Sequence, residues 1–174
     1  MNFFSAGIEA GKMLTAVHGP SFLSGRGEIA LEVLPFWLAH VPKQQTTIYF
    51  TQSSSSASSV IGPVSTYGVS VTPLLFRWNF MRQKSSRYVP WMQLGSGLLW
   101  TAKDFPASSG TPESNTSNIN FTPQVAFGQG IFLRKNQSLN LAVKAIHISN
   151  AGLGNSNPGV NVTVQFSIGY SWWK

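Results

Sequence analysis

Residues 160–172, Val160-Asn161-Val162-Thr163-Val164-Gln165-Phe166-Ser167-Ile168-Gly169-Tyr170-Ser171-Trp172, alternate without a break. Val160, Val162, Val164, Phe166, Ile168, Tyr170 and Trp172 fall on one side, and Asn161, Thr163, Gln165, Ser167, Gly169 and Ser171 on the other. A period of two over this length predicts a strand with an apolar face ending in aromatics and a small, polar face. In a soluble sandwich the apolar face is the core. In an outer-membrane barrel it meets lipid, and the polar face fills the lumen. Alternation alone leaves both readings open.

Composition and segment length separate them. The chain has 174 residues, enough for one domain, and is 43% hydrophobic and 13% aromatic but only 10% charged, against about a quarter charged for an ordinary soluble domain. No run approaches the roughly 18 apolar residues of a transmembrane helix, so a membrane-spanning form would have to be a closed β-barrel. Strands are predicted at 3–17, 28–41, 66–81, 88–102, 118–133, 138–149 and 161–173. Most reach the 9–11 residues, roughly, that cross a bilayer. The connections at 43–65, 103–117 and 150–160 are long and rich in Ser, Asn and Gly; those at 82–87 and 134–137 are short and basic, and 18–27 is intermediate. Long loops on one side and short turns on the other are the habit of outer-membrane barrels. Trp78, Phe80, Trp91, Trp100, Trp172 and Trp173 lie near segment ends, where interface girdles are expected.

Seven strands are an odd number, whereas single-chain bacterial barrels have an even one. The expectation is a first strand upstream of Met1; the alternative is a short strand at 46–51, disfavoured because it adjoins the Ser-rich tract 53–59, which reads as loop. The fold class expected is therefore an all-β, antiparallel up-and-down outer-membrane barrel in one domain.

Other chemistries find little footing. Cysteine is absent, and His18, His40 and His147 lie far apart without metal-ligand spacing, so no thiol, metal or other cofactor is expected. The net charge of +7 is scattered, with no recognition helix or aromatic RNA-binding signature, and anionic lipid phosphates suit it better than nucleic acid.

The segment before the last strand carries chemistry. Leu141, Val143 and Ala145 form a stripe that continues into His147 and Ser149, two residues apart and so on one face of a strand. A base and a hydroxyl placed this way can act as a pair. His147-Ile148-Ser149-Asn150-Ala151-Gly152-Leu153, followed by Asn157-Pro158-Gly159, resembles the active-site segment of the outer-membrane lipid A 3-O-deacylases (PagL), with its His-x-Ser-Asn-Ala pattern and polar loop. The resemblance also covers 90–100 and 121 to the end, and thins before Thr66. It implies an eight-stranded barrel in the bacterial outer membrane that hydrolyses an ester-linked acyl chain of lipid A. Ser149 would be the nucleophile, His147 the base, and Asn150 and Asn157 oxyanion donors. Lipid A and outer-membrane lipids are the partners implied, and a homodimer is compatible with this reading.

One position departs from the pattern. The acid that orients the His in that family falls fourteen residues after it, and here that residue is Asn161. An Asn can orient an imidazole but cannot stabilise imidazolium by charge. Alternation also puts Asn161 on the lumen side, so a bulge near Gly159-Val160 would be needed to aim it at His147; Glu9, Glu28 and Glu32 are the other candidates for the role. Two further readings stay open: a non-catalytic barrel of the same fold, and a soluble β-sandwich binding module.

Overall fold

The computed structural model describes residues 2–42, 44–49, 56–61, 63–81, 87–105, 116–154 and 160–172. Seven strands form one antiparallel sheet in the order β1 (Asn2–Met13), β2 (Gly25–Val41), β5 (Val64–Phe80), β6 (Tyr88–Phe105), β7 (Ser117–Arg134), β8 (Gln137–Ile148) and β9 (Val160–Trp172). Each pairs with its sequence neighbour, two short strands between β2 and β5 apart, so the topology is up-and-down. The sheet curls until Gln165 Nε2 on β9 donates to Ser5 Oγ on β1 at 2.7 Å. Between those two edges lies an opening of about 1040 Å³ lined by β1 and β9. The remaining pair, β3 (Gln44–Tyr49) and β4 (Ser56–Ile61), makes a separate two-stranded hairpin between β2 and β5. This corrects the expectation of a loop there: much of the Ser-rich tract is the second arm of a hairpin, paired to the Thr-Thr-Ile-Tyr run.

The faces are inverted relative to a soluble protein. Phe166 is 82% exposed and Ile168 74%, while Thr72, Gln93, Arg77, Glu28 and Lys144 are buried inside. Arg77 organises one half of the interior. Its Nε donates to Gln93 Oε1 at 2.7 Å, its Nη2 pairs with Glu9 and its Nη1 lies 3.7 Å from Glu28. Asn79 Nδ2 donates to the same Glu28 carboxylate at 2.9 Å. The Arg77 guanidinium sits 4.3 Å from the centre of the Trp91 ring, and Trp91 in turn lies over Gly128, where a Cβ would fall 2.2 Å from the indole. Trp91 is therefore a lumen residue and not part of an interface girdle, which corrects its sequence placement: the position reads as aromatic at a strand end, but strand parity turns it inward. Higher in the interior, Lys144 Nζ pairs with Glu32 at 2.6 Å, and Gln124 Nε2 donates to Thr72 Oγ1 at 2.9 Å.

Toward the long loops the interior becomes apolar: Trp37, Ala39, Leu99, Phe105 and Ile148 pack with Phe3, Ile146 and Val160. The change on β2 has a local cause. Two β2 residues, Leu34 and Pro35, against one on β1, Gly7, separate the pairs Ala6↔Phe36 and Ile8↔Val33, a bulge. Proline cannot donate to a ladder and settles at such irregularities. The bulge flips parity, so that even positions (Glu28, Glu32) face inward before it and odd ones (Trp37, Ala39, Val41) after it. Pro73 marks a second flip on β5, from Ser70 and Thr72 to Leu75, Arg77 and Asn79.

Removing the central cation should expose how much the interior depends on it. Arg77→Met leaves Glu9 and Glu28 without their partner and is expected to cost about 3 kcal/mol, read as a fall in the temperature at which the folded gel band converts to the unfolded one. Lys12→Gln, on the exposed side of β1, should change stability by less than about 0.5 kcal/mol.

Candidate functional site

β8 carries its side chains to alternate sides. Ser138, Lys144 and Ile148 are buried in the interior, while Leu141 and Val143 are exposed on the outer wall. His147 and Ser149 share the parity of the outer set. His147 lines an open groove of about 750 Å³ on the outer wall, together with Leu74, Phe76, Leu94, Val125 and Val162. All five of those neighbours are apolar. Leu74 borders the Pro73 irregularity: between the pairs Val71↔Leu98 and Leu74↔Ser96 lie two residues of β5, Thr72 and Pro73, and one of β6, Gly97.

The backbone around His147 is irregular on both sides. Ser149 is fixed to β7 by two bonds, its N–H donating to Phe121 O at 3.1 Å and Phe121 N–H donating to Ser149 O at 2.7 Å. In this register Pro123 stands opposite His147, and a proline has no N–H to give to the ladder. On the other side the pairs Ile146↔Thr163 and Ile148↔Val160 leave His147 alone against two β9 residues, Asn161 and Val162. This is a β-bulge. Val160 packs inward with the Trp37 cluster, yet Thr163, three residues on, pairs with the inward Ile146, so strict alternation fails across Asn161-Val162.

Beyond Ser149 the chain turns sharply. Ala151 and Gly152 both have positive φ, 51° and 83°; the first is uncommon for a residue with a Cβ. The turn is held by Gly152 N–H donating to Asn150 Oδ1 at 2.9 Å, by Leu153 N–H donating to Asn150 O at 3.0 Å and by Ala151 N–H donating to Ser149 Oγ at 3.2 Å. Asn150 is 1% exposed. With its oxygen committed to Gly152, only its amide NH2 has the polarity to meet an oxyanion. Asn157 lies outside the described residues, as does the side chain of Asn161.

The alternative carboxylates do not reach this face. Glu9 and Glu28 are held by Arg77, and Glu32 by Lys144, all inside the wall. As candidates to orient His147 they are ruled out by parity: Lys144, which anchors Glu32, is on β8 itself but points to the opposite side. The groove residues and the break at Pro123 went unread in the sequence. Prolines at 35, 73 and 123 inside strand-like alternation were the available signal.

A curled up-and-down sheet with an apolar outside and a charged inside defines a β-barrel of the outer-membrane kind. The family model described as lipid A 3-O-deacylase (PagL) matches residues 23–171, and the chain belongs to that family. Its members are outer-membrane β-barrels that act as ester hydrolases on lipid A. No curated protein and no solved structure gives a significant match.

Asn150→Ala should test the turn separately from the chemistry. Removing the acceptor takes away the part-buried hydrogen bond that holds the exposed Gly152 N–H, at a cost of about 1 kcal/mol. Thermal conversion of the gel band should fall by the equivalent amount, with slower ester hydrolysis at temperatures where the barrel remains folded.

Proposed function

We propose that this chain is an outer-membrane enzyme that hydrolyses the 3-O ester-linked acyl chain of lipid A, with Ser149 as nucleophile and His147 as general base and acid. The observation that carries the reading is the position of His147 in an apolar groove on the outer wall, with Ser149 on the same parity of the same strand. An acyl chain lying against Leu94, Val125 and Val162 would bring its ester to that strand end from within the lipid phase.

Ser149 Oγ adds to the ester carbonyl carbon as its proton passes to His147. The Ala151 N–H, the Asn150 amide and Asn157 are assigned to the oxyanion that forms. Collapse breaks the bond to the sugar oxygen, which takes the proton from His147 and leaves the acyl group on Ser149. Water then loses a proton to His147, attacks the acyl carbon and releases the fatty acid, and Ser149 recovers its proton. Asn161 is assigned to orient His147 through its amide oxygen, supported by the bulge that sets Asn161-Val162 against His147. Because Asn161 has no charge, this reading also implies slow turnover, and a barrel that binds lipid A without cleaving it is the second reading.

The acyl content of lipid A, measured by mass spectrometry after incubation with the folded protein, decides between them. Ser149→Ala and His147→Ala are each expected to lower hydrolysis by about three powers of ten or more with the folded gel band intact. Hydrolysis that survives both changes places the chemistry elsewhere, and none in the parent chain favours the binding reading.

Asn161→Glu supplies the missing charge. It is expected to raise turnover by roughly two powers of ten, mainly in kcat, because the carboxylate acts only once His147 has taken the proton. An unchanged or lower rate in the folded variant removes Asn161 from the site.

A further inference from the structure

The charges of this chain are sorted by height along the barrel. Three of its five acids, Glu9, Glu28 and Glu32, are inside and matched to Arg77 and Lys144. The other two, Asp104 and Glu113, belong with Lys43 and Lys103 to the long-loop end by sequence. What remains is entirely basic and falls at the short-turn end. Arg87 starts β6, Arg134 ends β7 and Lys135 opens the turn to β8, all three exposed. Lys12 is the penultimate residue of β1, and Arg82 and Lys84 belong by sequence to the same β5–β6 connection as Arg87. Among the described residues no side-chain carboxylate pairs with the cations at this end. Exposed aromatics accompany them: Tyr88 beside Arg87 with the guanidinium 5.9 Å from its ring, Tyr170 and Trp172 in edge contact at 4.6 Å, and Phe22, 72% exposed, in the β1–β2 connection.

Exposed Tyr and Trp mark the depth where acyl chains give way to headgroups. Cations a residue or two beyond them therefore stand among headgroups and not in open water. We propose that Arg87, Arg134 and Lys135 form a collar that binds the headgroups of anionic diacyl phospholipids in the leaflet opposite the one that His147 and Ser149 face. The proposal rests on the membrane reading given above. Uncompensated charge at an interface gains from anionic lipid, about fivefold in partition for each cation near the surface, and a ring of such contacts would fix the height and tilt of the barrel. That height decides where His147 meets an ester.

The test uses tryptophan quenching in the full chain folded into vesicles of phosphatidylcholine alone or of phosphatidylcholine and phosphatidylglycerol in equal parts. Brominated phosphatidylglycerol should quench several-fold more strongly than brominated phosphatidylcholine at low salt. In molar salt, where the Debye length is about 3 Å, the difference should vanish. The combined variant Arg87→Gln, Arg134→Gln, Lys135→Gln should lose the preference while keeping the folded gel band. Equal quenching by the two lipids in the folded parent, or a preference that survives in the triple variant, overturns the collar and leaves the membrane reading standing. Failure of the parent to fold into either vesicle overturns both.

Discussion

A wall one strand thick must satisfy lipid on one side, and the ion pairs on the other side make this possible. Outward positions can be Val, Leu, Ile or Phe because the charges at inward positions pair with one another. Arg77 is the centre of that arrangement, bridging Glu9 on β1, Glu28 on β2 and Gln93 on β6. Three strands that are not all neighbours are thus tied across the lumen. Lys144 on β8 and Glu32 on β2 make a second tie. Backbone ladders hold adjacent strands, and these side chains tie strands that share no ladder, β1 to β5 and β2 to β8.

The site depends on departures from the pattern that makes the wall. Regular alternation would put Asn161 inside, away from His147, and would give His147 an ordinary ladder partner on β7. A bulge on one side and Pro123 on the other replace that regularity at a single residue. Bulges re-aim side chains and proline withholds a donor, so both act through geometry and not through added contacts. The strained turn at Ala151 adds a third irregularity immediately after Ser149. Three irregular features within a few residues of one His-x-Ser pair would be costly in a strand whose only task was to complete a barrel.

What the sequence made legible follows from how each feature is encoded. The seven long strands and the polarity of their faces are written in period two, as in Val162 to Trp172, and each lies within a few residues of its predicted position. The outward direction of His147 could be read because it continues the parity of Leu141, Val143 and Ala145. Trp91 could not, because a girdle aromatic and a lumen aromatic look alike until Gly128 opposite reveals the space beneath it. The hairpin of β3 and β4 was hidden by composition: its Ser-rich arm has a loop vocabulary, and only pairing with Gln44–Tyr49 makes it a strand. Parity flips at Pro35 and Pro73 depend on which of two neighbouring residues is left unpaired, and this is a property of the partner strand as much as of the proline.

Parity also constrains how the chemistry could have arisen without its usual acid. Among the described residues the interior holds three carboxylates, two paired with Arg77 and one with Lys144, yet each is separated from His147 by the sheet itself. A charge on the far side of the wall cannot hydrogen-bond to the imidazole, and it is already neutralised by Arg77 or Lys144. Any group that orients His147 must therefore come from an outward position on a flanking strand or from a loop at that rim. β7 offers Pro123 at the matching level, which has neither donor nor acceptor in its side chain. β9 offers the bulged pair Asn161-Val162, and of these only Asn161 has a polar side chain. The bulge therefore leaves one strand-borne candidate for the role, and it is a neutral one.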